Sequence, residues 1–457
     1  MNSENKHKKK NKMERGLTNR HVQVMAIAGT IGTGLFLGAG RSISLTGPSI
    51  VLVYMITGGF MYLMMRAIGE MLYQDPEQHT FINFITRYLG QGWGYFSVWS
   101  YWLSVVFIGM AEITAVAHYV QFWFPSWPSW SIQLVFLTIL GLVNLIAVKI
   151  FGEVEFWFAM IKIVAILAMI ATGIFMVLTG FETPYGSASL SNISHQFSFF
   201  PMGGMNFVMA FQMVFFAYLM IEFIGVTTSE TKNPRKVLPK AVKEIPLRII
   251  FFYGGALLAI MSIIPWGELS SADSPFVTVF ELAGLKWAAA LINFVVLTSA
   301  ASALNSTLYS TGRHLYQIAH DSPNRFLKAI KADTLSRHNV PQSAIIASAV
   351  LIGLAAFINV LPGVSDAFAL ITASSSGVYI AIYILIMLAH LKYRKSNDFM
   401  ADGYLMPRYR LLNPITILFF VFVFGTLFLQ ESTFMGAVGS AIWIVVFGIY
   451  SQWRFKK

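Results

Sequence analysis

Ala26-Ile27-Ala28-Gly29-Thr30-Ile31-Gly32-Thr33-Gly34-Leu35-Phe36-Leu37-Gly38 lies inside an apolar run from Val22 to Leu45, long enough to cross a bilayer. Gly29, Gly32 and Gly34, with Thr30 and Thr33, interrupt that run in its middle. Glycine inside a helix costs about 1 kcal/mol against alanine. Irregular backbone at membrane depth persists only where it is buried in protein or lines a cavity. A helix broken here leaves free N–H groups where its second half starts and free C=O groups where its first half ends. The N–H end attracts an anion and the C=O end a cation, so the pair suits a zwitterion. The same glycines would equally serve as a close-packing seam between helices. These residues alone leave both readings open.

The rest of the chain sets the class. Of 457 residues, 56% are hydrophobic and 12% are charged, against about 25% charged in an ordinary soluble domain. This predicts an all-α polytopic membrane protein in contact with the lipid bilayer. About twelve spans are long enough, or nearly so, to cross a hydrocarbon core. They fall near 22–45, 48–72, 95–120, 131–149, 156–179, 204–228, 247–266, 286–311, 342–361, 366–390, 413–430 and 434–452. Alternate connections carry Arg87, Lys149, the Lys232–Lys243 cluster, Arg313–Arg337 and Lys392–Arg410, whereas those at 121–130, 180–203, 267–285, 361–366 and 430–434 contain no Lys or Arg. Such asymmetry places the basic connections and both termini in the cytoplasm. The net charge of +11 therefore marks a membrane face and not a nucleic-acid partner. Residues 1–20 read as a basic cytoplasmic tail, since the apolar run that follows is too long for a signal peptide. Without cysteine there are no disulfides and no thiolate metal sites.

Span six carries a second anomaly. In Phe215-Phe216-Ala217-Tyr218-Leu219-Met220-Ile221-Glu222-Phe223-Ile224-Gly225 a carboxylate sits within an apolar segment. Ionisable groups at such depth are costly and face protein or water. Glu222 is thus a candidate proton carrier, with a plain helix-to-helix hydrogen bond as the alternative. Irregular helices at matching positions of two halves point to an inverted-repeat transporter with a site near the midplane. The expected division is 21–180 for the first repeat and 203–391 for the second, with two extra helices and a short C-terminus in 411–457.

Several pieces together resemble the amino acid permeases of the amino acid–polyamine–organocation superfamily, nearly end to end. They are Ile31-Gly32-Thr33-Gly34-Leu35-Phe36, Gly69-Glu70-Met71, Glu155-Phe156-Trp157-Phe158-Ala159-Met160-Ile161-Lys162, Ser229-Glu230-Thr231-Lys232-Asn233-Pro234 and Asn293-Phe294-Val295-Val296-Leu297-Thr298-Ser299-Ala300-Ala301-Ser302. Within the superfamily the chain is similar to the bacterial branch with D-serine/D-alanine/glycine permeases. The resemblance implies a leucine-transporter-like core of five plus five inverted helices. It also implies uptake of small neutral amino acids across a bacterial cytoplasmic membrane by proton symport, with no cofactor beyond the coupling proton.

Carried onto this chain, the resemblance makes Gly32, Thr33 and Gly34 the carboxylate-binding turn, with Thr30 beside them. Carbonyls near Ile27, Ala28, Phe216 and Ala217 would meet the ammonium, and Tyr218 would close over the substrate. Lys162 takes the place of a sodium ion between spans one and eight and would couple transport to protons; the bland reading is a lysine that snorkels to the interface. Ser299, Ser302 and Asn305 share one stripe of span eight, lining the site or bonding across helices. Glu112 lines the pocket or its outer vestibule, and Glu230, beside Lys232 and Arg235, makes a surface or gate ion pair. Arg66 and Glu70, four apart, read as a local ion pair. Met220 departs from the family, many of whose members have glycine there, and predicts a less unwound break in span six. No enzyme signature is present. An exchanger of the same superfamily, or a transporter-like receptor that moves nothing, are the alternatives; oligomeric state is unreadable.

Overall fold

A computed structural model describes residues 32–456 apart from 77, 79, 147, 195–197, 223–232, 270–273, 283–285, 322–324, 337–338 and 359–365. Ile27, Ala28, Thr30 and Glu230 lie outside the described residues. Gly32 is extended, with φ −136° and ψ −158°, and helix α1 (Thr33–Phe36) begins directly after it. Leu37 links α1 to α2 (Gly38–Thr46), and a turn through Pro48 leads into α3 (Ile50–Gln74). Within the glycine stretch, helical structure thus starts at Thr33.

A short helix, α4 (Ile82–Leu89), precedes α5 (Gln91–Gln121), α6 (Ser129–Ile146) and α7 (Val148–Thr179). After a two-residue antiparallel strand pair at Glu182–Thr183 and Gly186–Ser187 come α8 (Gly204–Ala217), α9 (Pro234–Ile263) and α10 (Lys286–Asp321). The chain closes with α11 (Gln342–Gly353), α12 (Ala367–Tyr393), α13 (Tyr409–Thr426) and α14 (Glu431–Arg454). Among the described residues, eight helical stretches are long and apolar enough to cross a membrane. Shorter apolar helices at Ser129–Leu145, Gly204–Ala217 and Gln342–Ile358 lie at the expected fourth, sixth and ninth spans. The protein is an all-α integral membrane protein. Helices α5 and α12 are buried along most of their length, while α7 and α14 turn Trp157, Phe175, Leu178, Ile449 and Trp453 outward.

Helix α8 stops at Ala217, Tyr218–Glu222 form turns, and Met220 itself has φ +65°. The helix thus ends here without a glycine, with Met220 itself taking the left-handed backbone. Left-handed backbone costs a side-chain-bearing residue about 1–2 kcal/mol, and the fixed turn imposes it here. A β-branched residue tolerates that backbone worse still. Met220→Val is therefore expected to be less stable than Met220→Gly by about 1–2 kcal/mol, read from thermal unfolding in detergent. An account based on side-chain packing alone predicts the reverse order.

A π-helical turn in α9 at Ile249–Gly254 brings Tyr253 to this break. Its hydroxyl donates to the Ala217 carbonyl at 3.0 Å, satisfying a group that the end of α8 leaves free. At the other end of the membrane-spanning region, Arg235 donates to the Tyr73 and Gln74 carbonyls at 2.9 and 3.0 Å, capping α3 with a cation where the helix dipole favours one.

Glu70 does not pair with Arg66. Its carboxylate takes Arg394 Nη2 at 2.7 Å and the Met406 amide at 2.6 Å, with His390 Nε2 at 3.2 Å. Arg66 instead donates to the Leu405 carbonyl and lies 3.9 Å over the Tyr404 ring. A same-helix ion pair is worth only a few tenths of a kcal/mol. A carboxylate that is 2% exposed needs several donors, and the turn after α12 supplies them. Helix α14 packs on α12 and α5: Trp443 Nε1 donates to Ser100 Oγ at 3.0 Å, and a Cβ at Gly377 would lie 2.1 Å from Ser440 Oγ.

Candidate substrate site at the helix breaks

The seam and site readings of the glycine stretch turn out to be compatible. A Cβ at Gly34 would lie 2.6 Å from Ala217 Cα, and one at Gly38 would lie 2.9 Å from Met213 Sδ. These glycines let α1 and α2 rest on α8, bringing the start of α1 to the end of α8. Gly32 faces elsewhere: its Cβ would be 3.0 Å from Glu112 Oε1. The N–H groups of Thr33 and Gly34 open α1 and have no intrahelical acceptor.

Thr33 Oγ1 donates to Glu112 Oε1 at 3.0 Å, and both side chains are buried. Glu112 is therefore a wall of the Gly32–Gly34 turn and not part of an outer vestibule. Its Oε2 is buried without a hydrogen-bond partner among the described residues. Lys162 of α7 is 1% exposed, so it does not snorkel. It interacts electrostatically with Glu112 and with Glu155 on its own helix.

Glu155 was not singled out in the sequence, although it opens one of the quoted motifs. Its position two helical turns before Lys162 puts both on one face, which was the available signal. Ser302 Oγ of α10 donates to Glu155 Oε1 at 2.7 Å. Asn305 Oδ1 accepts from Asn144 Nδ2 of α6 at 2.8 Å. Ser302 and Asn305 thus tie α10 to α7 and α6. The Ser299 hydroxyl is buried without a hydrogen-bond partner among the described residues.

Glu222 forms a separate cluster. It is fully buried, and three hydroxyls donate to it: Tyr101 and Tyr379 to Oε1 at 3.1 and 3.3 Å, and Tyr383 to Oε2 at 2.6 Å. Its immediate partners are these tyrosines of α5 and α12, which sequence reasoning did not name. The His314 ring meets Tyr101 edge-on with centroids 4.8 Å apart. Tyr218 turns away from the Gly32–Gly34 turn: its hydroxyl donates to the Tyr54 carbonyl at 3.0 Å and its ring stacks on Tyr253 at 5.0 Å. Phe216 packs edge-on against Phe368 at 6.0 Å. No group of metal-ligating residues occurs among the described residues.

The family described as amino acid permease matches residues 21–457. A DL-alanine permease of Lactococcus lactis subsp. cremoris (strain MG1363) is 49% identical over 97% of this chain and 96% of its own. A serine permease of the same strain is 47% identical over 98% and 99%. A D-serine/D-alanine/glycine transporter of Escherichia coli (strain K12) is 42% identical over 97% and 94%.

Proposed function

Because this chain belongs to the amino acid permease family, we propose that it imports small neutral amino acids across a bacterial plasma membrane by proton symport. The names of its relatives, with alanine, serine and glycine as cargo, support that substrate class. The observation that carries the reading is the meeting of the start of α1 at Gly32–Gly34 with the end of α8 at Ala217, beside the buried Glu112. In this reading the N–H groups of the Gly32–Gly34 turn hold the substrate carboxylate. Carbonyls around Ile27, Ala28, Phe216 and Ala217 hold its ammonium. Residues 21–180 and 203–391 are the inverted repeats whose relative movement alternates access, and both termini are cytoplasmic. Coupling falls to Lys162 first, since an ammonium held among carboxylates changes the charge of the site when it loses a proton, and to Glu222 second.

The test is uptake of radiolabelled glycine, alanine, serine and threonine into proteoliposomes, with and without an inward proton gradient. Accumulation that requires the gradient is the expected result. Uptake indifferent to the gradient but dependent on internal amino acid would replace symport by exchange. Saturable binding without uptake of any of the four would leave a receptor.

A further inference from the structure

The layer behind the Gly32–Gly34 turn does not balance its charges. Two buried carboxylates, Glu112 and Glu155, flank a single ammonium, Lys162. The titratable groups facing Glu112 among the described residues are Lys162 from α7 and, on its own helix, Tyr119. With every group ionised, this enclosure carries one negative charge in excess. Uncompensated charge in such surroundings is strongly disfavoured, and carboxylates that cannot both ionise share a proton.

The two acids differ in where they stand. Glu155 is bound to Ser302 on the far side of the layer. Glu112 touches the turn itself: Thr33 satisfies its Oε1 and Gly32 presents no side chain to screen it; both acids have an Oε2 without a hydrogen-bond partner among the described residues, but only that of Glu112 belongs to a carboxyl at the turn. A substrate carboxylate arriving at Gly32–Gly34 would meet an anion there. It would meet a donor if Oε2 carried hydrogen, and an acid O–H to a carboxylate is among the stronger hydrogen bonds.

We infer that Glu112 is protonated when substrate is bound and donates through Oε2 to the substrate carboxylate, so that each amino acid enters with one proton. The inference rests on the carboxylate site proposed above. Lys162 keeps its charge while substrate is bound and offsets Glu155, and Glu112 is the specificity-determining group that admits a carboxylate only together with a proton.

Alanine binding to the purified full-length protein, titrated calorimetrically in buffers of different ionisation enthalpy, tests this. At a pH where Glu112 is ionised in the free protein, the wild type is expected to take up close to one proton per alanine, with Kd rising by up to about tenfold per pH unit; at lower pH, where the free protein already holds the proton, uptake falls towards zero and Kd is flat. Glu112→Gln keeps an N–H donor at the same place and is expected to bind alanine without proton uptake and with a Kd flat in pH. Difference infrared spectroscopy of the wild type needs no variant and is expected to show a protonated carboxyl band that appears with alanine. Proton uptake retained by Glu112→Gln, or no proton uptake and no new band in the wild type at any pH across the alkaline range, overturns the inference while leaving the site in place. Failure of alanine, serine and glycine all to bind the wild type would instead remove the site and the inference with it.

Discussion

Replacing Lys162 with alanine is expected to abolish concentrative uptake while amino acid exchange between the two sides of the membrane persists. Lys162 is the cation that faces both Glu112 and Glu155, and removing one partner of a buried charge pair costs about 3–5 kcal/mol. Each acid then loses its cation, and on the proposed reading the charge change that ties the cycle to the gradient is lost. Substrate contacts at the Gly32–Gly34 turn do not involve the lysine, so exchange survives. Proteoliposomes loaded with unlabelled alanine measure exchange, and empty ones under a proton gradient measure accumulation. Accumulation at the wild-type level in Lys162→Ala would remove the lysine from coupling. Lys162→Arg sharpens the result, because arginine keeps the charge but cannot release a proton. Accumulation by Lys162→Arg would show that the residue acts as a fixed charge only.

The second large effect is steric. Gly34→Val places a side chain where even a Cβ would lie 2.6 Å from Ala217 Cα and 2.9 Å from Ala217 Cβ. Both obstacles are main chain or attached directly to it, so no flexible side chain can swing aside. Overpacking of this kind costs about 1–3 kcal/mol or more, and it forces the start of α1 away from the end of α8, where the proposed site lies. Uptake is expected to fall at least ~100-fold, in line with the effect of misplacing binding groups by about 1 Å. Gly59→Ala is the control: its Cβ would meet nothing within 4 Å. It should leave uptake unchanged and the protein slightly more stable. Equal losses in the two variants would mean that the glycine at position 34 has no special place.

Much of this arrangement was legible because the residues that break rules are few. Glycines in the middle of an apolar run and a carboxylate in another run announce themselves in any hydrophobic background, and both mark real features. Glu112 was visible as an ionisable residue in span three, but its partner Thr33 lies 79 residues away in the chain. No periodicity connects them. Glu155 went unassigned because it sits near the expected edge of a span, where a charged side chain needs no explanation. The Arg66–Glu70 expectation failed for a similar reason: the i,i+4 rule sees one helix, whereas Arg394 reaches Glu70 from 324 residues away. Helix α4 was missed because an eight-residue amphipathic segment between two long spans reads as a loop. The backbone of Met220 was not legible, because glycine is sufficient for a left-handed conformation but not necessary when the surrounding fold imposes it.

The contact between α12 and α14 bears on how the molecule can move. At Gly377 and Gly436 the helices meet with no room for a Cβ, the latter only 2.5 Å from the Leu370 carbonyl. Trp443 fastens α14 to α5 at Ser100, next to Tyr101. Packing this close cannot slide without lifting the helices apart, since groove and ridge are main chain on one side. The last helix and the tyrosines around Glu222 are thereby tied through α5 and α12 into one closely packed block. On the transport reading proposed above, that block is the part against which the other helices move, which makes the C-terminal helix a mechanical ground for the cycle.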